Sequence, residues 1–169
     1  VTNPPYIGRR KLNEETREFL DRYYPATSMD LCAAFMERCL ELTHDGGTIG
    51  LVTVDKWLRL KPYESLRVGG GGFVGLYRAV SLDVVCELGH RAFSSVSSLH
   101  DGVGVCLLLG TKMPPPEGHA FTFLSVAESP TVHDKVRRLD DLQGRGGTRI
   151  LQGDLVGDGG STTFIIRTG

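Results

Sequence analysis

Residues 48–54, Thr-Ile-Gly-Leu-Val-Thr-Val, form a nearly continuous apolar run. A strand with one face in water alternates polar and apolar side chains, so this run needs cover on both faces. A parallel sheet layered between helices supplies that cover. The preceding residues fit such a layer. Ser28 to Thr43 read as a helix with Leu31, Phe35, Cys39 and Leu42 on one stripe, and His44-Asp45-Gly46-Gly47 stops it. Val1-Thr2 read as the end of an earlier strand, so strand, helix and strand make a right-handed crossover unit. The expected class is α/β.

Bulk numbers set the frame. A chain of 169 residues, 40% hydrophobic and 23% charged, can bury the core of one ordinary domain. Its net charge of −1 gives no global field toward nucleic acid, so any such contact must use local patches. Cys32, Cys39, Cys86 and Cys106 lie in apolar segments without a C-x-x-C pair, which suits reduced, buried thiols of a cytoplasmic protein and no metal site. No apolar stretch long enough to span a membrane, and no signal peptide, is found.

Directly after Thr2 comes Asn3-Pro4-Pro5-Tyr6. Two prolines stiffen the backbone and remove two N–H donors, leaving a corner that presents acceptors. The Asn3 side-chain oxygen beside the Pro4 carbonyl can take the two N–H groups of an exocyclic amine, with Tyr6 stacked on the ring that bears it. Such acceptors pull the nitrogen toward tetrahedral geometry and aim its lone pair at an electrophile, a gain realised mainly in the transition state. If Thr2 ends a strand, this corner lies at a sheet's carboxyl edge, where open α/β sheets bind ligands.

Further along, Gly8-Arg9-Arg10-Lys11 either contact phosphates or form a solvated loop. A peripheral helix is predicted over Asn13 to Tyr24, capped by Asn13 and ended by Pro25. Lys56, Arg59 and Lys61 surround Trp57, which either touches nucleic acid or packs on the short helix after Pro62. Gly69 to Gly72 read as a flexible hinge. Val80 to Leu88 and Gly102 to Leu109 read as an antiparallel pair at the sheet edge, with His90 and His100 as surface histidines. Pro114-Pro115-Pro116 mark a boundary. A strand over Ala120 to Val126 follows, then a helix over Thr131 to Leu142 with Val132, Val136 and Leu139 inside, then polar, Gly-rich turns to Gly169.

Asn3-Pro4-Pro5-Tyr6, the run Asp30 to Arg38, the run Gly46 to Thr53 and Trp57-Leu58 resemble consecutive motifs of the N6-adenine DNA methyltransferases of the gamma arrangement. Tyr63 to Arg67 and Glu87 to Phe93 are similar to the PglX methyltransferases of anti-phage BREX systems and their type IIG restriction-modification relatives. The similarity covers about residues 1 to 110.

The resemblance implies the C-terminal half of a Rossmann-like, S-adenosylmethionine-dependent methyltransferase sheet with an antiparallel edge, plus part of a following region. Residues 1–112 would be the catalytic half and 113–169 the start of an α+β region. The cofactor half would lie upstream, because no acidic, Gly-rich loop of the Asp-Pro-x-x-Gly-x-Gly kind is present, and this stretch alone is expected to be inactive. The implied enzyme moves a methyl group to N6 of a flipped adenine in double-stranded DNA, working with other phage-defence proteins. Asn3 and Pro4 would accept from the adenine amine, with Pro5 completing the corner. Tyr6 and Phe93 would stack on the base, and Phe35 would touch the cofactor's adenine. Arg9, Arg10, Lys11, Lys56, Arg59 and Lys61 would meet phosphate. A protein-glutamine or RNA amino-methyltransferase shares the same corner, and a non-catalytic nucleic-acid-binding half-domain is a further alternative.

Overall fold

The computed structural model of the chain describes residues 1–93 and 102–157. Helix α1 spans Glu14–Tyr23 behind Asn13, whose side-chain oxygen accepts from the Thr16 amide at 2.9 Å. Leu20 is its buried residue while Phe19 and Tyr23 stay exposed, so the helix is peripheral as predicted.

Helix α2 spans Leu31–Leu42 and starts later than Ser28, because Asp30 caps it by accepting from the Ala33 amide at 2.7 Å. Its buried face is also not the expected stripe. Phe35 is 42% and Leu42 70% exposed, while Cys32, Ala33, Met36 and Leu40 face the core. Glu37 argues against that face in the sequence, but Thr27 donates its hydroxyl to this buried carboxylate at 2.7 Å, which offsets much of the cost of burial.

Strand β1 runs Thr48–Val54, as expected. Thr2 forms a parallel bridge to it: its amide donates to the Gly50 carbonyl, and the Val52 amide donates to the Thr2 carbonyl, each at 3.0 Å. After β1 come 3-10 turns at Asp55–Leu58 and Lys61–Tyr63, then α3 over Glu64–Val68. The glycine tract is a built turn rather than a hinge. Gly70 and Phe73 exchange two backbone hydrogen bonds of 2.9 Å across Gly71 and Gly72, whose φ values of 56° and 90° favour glycine.

The remaining elements are α4 (Leu76–Ala79), β2 (Ser81–Gly89), β3 (Val105–Thr111), β4 (Ala120–Ser125), α5 (Val132–Arg145), β5 (Thr148–Leu151) and α6 (Asp154–Gly157). α4, β5 and α6 have no counterpart in the sequence reading. α4 and α6 are single turns with little periodicity, and β5 sits among glycines and charged residues. His100 and residues beyond 157 lie outside the described residues.

The five strands form one sheet in the order β1-β3-β2-β4-β5. β2 and β3 pair antiparallel, as expected, and they lie inside the described sheet, flanked by β1 and β4. β4 pairs parallel with β2, so the junction expected at 112/113 falls within a continuous sheet. Since β1 and β2 both run against β3, the strands β1, β2 and β4 and the Thr2 segment all point one way. Their carboxyl ends share one edge, which carries Asn3 to Tyr6, Asp55, Gly89 to Phe93 and Val126.

Each sheet face has its own core. On one, Ala33, Met36 and Leu40 of α2, together with Trp57 and Tyr77, cover residues such as Leu51 and Val85. On the other, Leu139 and Leu142 of α5 join Tyr6 over Cys86, Leu88 and Val126. In α5 the expected interior Val136 is 52% exposed, whereas Lys135 is only 3% exposed. The Lys135 ammonium donates to the carbonyls of Leu88 at 2.8 Å and Val126 at 3.0 Å, so its charge is solvated by the ends of β2 and β4.

Candidate active site at the carboxyl edge of the sheet

The Thr2 bridge fixes where Asn3 begins. Asn3 and Pro5 are exposed, Pro4 is buried, and Tyr6 is half-buried against the apolar group that includes Ala92, one residue before Phe93. Burial, with smaller contributions from the Cys32 and Cys106 thiols, pushes the Tyr6 phenol up to about 12, so it stays neutral and offers a ring rather than a base. Phe93 is 44% exposed at the same edge. The acceptor corner with Tyr6 and the segment that carries Phe93 thus lie at the same edge.

Beyond Tyr6 the chain is stapled to the start of α2. The Leu31 amide donates to the Ile7 carbonyl at 3.0 Å, and Gly8 bridges Asp30. Asp30 also accepts from the Tyr63 hydroxyl. Phe35, a turn into α2, presents a ring to solvent on a helix whose neighbouring positions are buried. A large, exposed aromatic at this place suits a flat ring of a ligand.

The six cations divide. Arg9 is held bidentate by Asp21 at 2.8 and 2.6 Å, and Arg59 by Glu87 at 2.5 and 2.8 Å. Lys61 pairs with Glu64. Arg10, Lys11 and Lys56 are exposed and make no ion pair among the described residues. Trp57 is fully buried, donates to the Thr53 hydroxyl at 2.9 Å and packs on Tyr77, which removes it from any nucleic-acid surface.

Sequence reasoning assigned no role to a polar cavity of about 490 Å³ at this edge, lined by Asp55, Arg59, Glu87, His90, Ser125 and Glu128. Glu87 is buried and accepts from Ser125 at 3.0 Å as well as from Arg59. Burial, then the nearby Glu87 charge, raises the Asp55 carboxyl above its ordinary range. Gly104 lies against this carboxylate so closely that an added Cβ would stand 1.8 Å from Asp55 Oδ2. One signal was available: a lone carboxylate inside the apolar run Val84-Val85-Cys86-Glu87-Leu88 needs a partner.

The four cysteines are free, and burial raises the thiols of Cys32 to about 12 and Cys86 to about 11, which leaves them unreactive. Among the described residues no group of side chains has the makings of a metal site, and no helix is long and apolar enough to cross a membrane.

Residues 1–69 match the Eco57I restriction-modification methylase family. The matched segment holds the acceptor corner, α1, α2, β1 and the turns after it. The chain is 42% identical over 98 residues to the adenine-specific methyltransferase PglX of Lacticaseibacillus casei (strain Zhang), a match covering 57% of the chain and 7% of that protein. It is 33% identical over 97 residues to the adenine-specific methyltransferase BrxX of Escherichia coli O9:H4 (strain HS), covering 57% and 8%. The resemblance read from the sequence is borne out, and the chain spans a small part of the relatives it matches. A nuclease-deletion mutant of the type ISP restriction-modification enzyme LlaGI, solved with a DNA substrate mimic, superimposes with a TM-score of 0.59. That likeness covers 88% of this chain and 14% of LlaGI at 15% identity, and it shows a shared fold.

Proposed function

We propose that this chain is the catalytic half of an adenine-specific DNA methyltransferase that acts in phage defence or restriction-modification. Its substrate is adenine N6 in double-stranded DNA, with the base flipped out of the helix. The observation that carries the reading is the position of Asn3-Pro4-Pro5-Tyr6. The motif directly follows Thr2, which bridges β1 in the parallel sense, and Tyr6 packs at the edge where the segment bearing Phe93 leaves β2.

In this reading the Asn3 side-chain oxygen and the Pro4 carbonyl accept the two amine hydrogens and orient the nitrogen lone pair. Tyr6 and Phe93 hold the base between them, which offsets the few kcal/mol that flipping costs. S-adenosylmethionine supplies the methyl group when bound, and Phe35 is the residue of this chain that touches its adenine. Arg10, Lys11 and Lys56 meet phosphates and fix register without reading sequence. The protein works in the cytoplasm beside other proteins of its defence system.

The test uses the full-length protein expressed in a host that lacks adenine methylation, with long-read sequencing of the host DNA. N6-methyladenine at one sequence motif is expected for the parent and none for Asn3→Ala. Normal methylation by Asn3→Ala would remove the role given to the corner. Methylated protein beside unmodified DNA would move the substrate to a glutamine side chain.

A further inference from the structure

The segment from Asp55 to Val68 bonds to residues on the chain paths that lead to both stacking rings of the proposed base site, without containing either ring. Toward one wall, Arg59 grips Glu87 with two hydrogen bonds of 2.5 and 2.8 Å, and Ser125 holds the same carboxylate at 3.0 Å. Glu87 lies near the end of β2, and the chain that leaves β2 carries His90 to Phe93. Toward the other wall, the Tyr63 hydroxyl donates to Asp30. Asp30 caps α2 and bridges Gly8, and the next residue, Leu31, holds the Ile7 carbonyl directly after Tyr6.

The segment between these two grips is itself rigid. Arg67 is 3% exposed and donates to the carbonyls of Trp57 at 2.6 Å and Leu60 at 3.0 Å, which sets the backbone on both sides of Arg59. Trp57 is locked through its ring nitrogen to Thr53 at 2.9 Å. A buried Arg bound to two carbonyls and a bidentate ion pair are both orientation-specific contacts. Burial and the Asp30 carboxylate push the Tyr63 phenol up, so it remains a donor.

We propose that residues 55–68 act as a brace, with Arg59 and Tyr63 as positioning residues that set the separation of Tyr6 and Phe93 and so the fit of the flipped base. The proposal rests on the adenine-methyltransferase reading. It gives Arg59 a role through Glu87 in place of the phosphate contact that its charge suggests. A gap between stacking rings that is wrong by an ångström costs affinity for the flipped state and rate, while leaving the duplex held by its phosphates.

The experiment takes the full-length protein and two duplexes carrying the motif found by long-read sequencing: one with 2-aminopurine at the target position, which reports flipping, and one with adenine there, which is methylated and gives kcat and KM. Arg59→Met, Glu87→Gln and Tyr63→Phe are compared with the parent for the fluorescence rise on flipping, for kcat and KM, and for the salt dependence of duplex binding. Each variant is expected to lose between about tenfold and a hundredfold in kcat with a weakened fluorescence rise. The slope of log Kd against log salt should stay that of the parent. Arg59→Met with Glu87→Gln should lose no more than the worse single variant, and the exchange Arg59→Glu with Glu87→Arg should recover part of the loss. Tyr63→Phe keeps the packing of the ring, so it tests the brace even if the ion-pair variants fold poorly. Parent-like flipping and kcat in Tyr63→Phe and Glu87→Gln would overturn the proposal. So would a salt slope lower by about 0.9 in Arg59→Met alone, which would mark a phosphate contact. A parent that methylates no adenine would instead bring down the underlying reading.

Discussion

Thr27 donates its hydroxyl to the Glu37 carboxylate at 2.7 Å, with both residues buried on the core side of α2. Burial is the main cause that lifts Glu37 above its ordinary 4.5, with the Thr27 bond opposing it and Glu41 adding to it. The folded state therefore holds this proton where the unfolded chain has released it. Its contribution to stability is complete below 4.5 and is lost as pH rises through the raised folded value. Glu37→Gln keeps an acceptor for Thr27 and removes the buried charge. Thermal unfolding from acid to neutral pH should show a higher midpoint than the parent at neutrality and a flatter acid slope. A lower midpoint at every pH would show that the charge itself holds α2 in place.

Most of what positions the site was legible in the sequence, because it rests on local chemistry. The apolar run at Thr48–Val54, the Asn13 cap and the stiff corner at Pro4-Pro5 each specify their conformation within a few residues. The helix faces were not legible in the same way. In α2 and α5 the side chains that look polar, Glu37 and Lys135, are buried because distant groups satisfy them: a hydroxyl before the helix for one, the carbonyls of two strands for the other. Arg59 stays exposed, yet it too is held by a distant group, the Glu87 carboxylate on β2. Charge in the sequence shows what a residue can bind, and only tertiary contacts decide whether the partner is phosphate or carboxylate.

Gly104 and Asp55 make a second pair that only the fold brings together. The Asp55 amide donates to the Gly104 carbonyl at 2.9 Å, and the absence of a Cβ at Gly104 leaves room for the carboxylate. Gly104→Ala would force Asp55 out of its place beside Glu87, since the contact would be only 1.8 Å. The expected loss of stability is about 1–3 kcal/mol by denaturant unfolding, typical of overpacking. Methylation by the full-length protein should fall as well. Unchanged stability and activity would mean that the Asp55 side chain moves freely.

Arg10, Lys11 and Lys56 should behave as phosphate contacts, and Arg9 and Lys61 should not. Replacing any of the first three by Gln is expected to weaken duplex binding equally for all sequences and to lower the salt slope by about 0.9. Arg9→Gln breaks a pair with Asp21, and Lys61→Gln a pair with Glu64, so both should keep the parental slope. Fluorescence anisotropy of a labelled duplex over a range of salt reads this directly. A reduced slope for Arg9→Gln would mean that Asp21 releases Arg9 when DNA arrives.

Lys135 supplies the last prediction, since its ammonium is the group that caps the carbonyls of Leu88 and Val126 beside the candidate site. Lys135→Met fits the same channel and leaves those carbonyls without their donor, at an expected cost of about 1–3 kcal/mol. Burial lowers the Lys135 pKa below its ordinary 10.5. The folded state thus loses this proton before the unfolded chain does, so the parent should gain stability as pH rises from the lowered value toward 10.5. Lys135→Met has no such proton, and its unfolding free energy should lack that alkaline gain. Denaturant unfolding at neutral and alkaline pH separates the two effects. A variant as stable as the parent at neutral pH would show that the ends of β2 and β4 hold together without the ammonium.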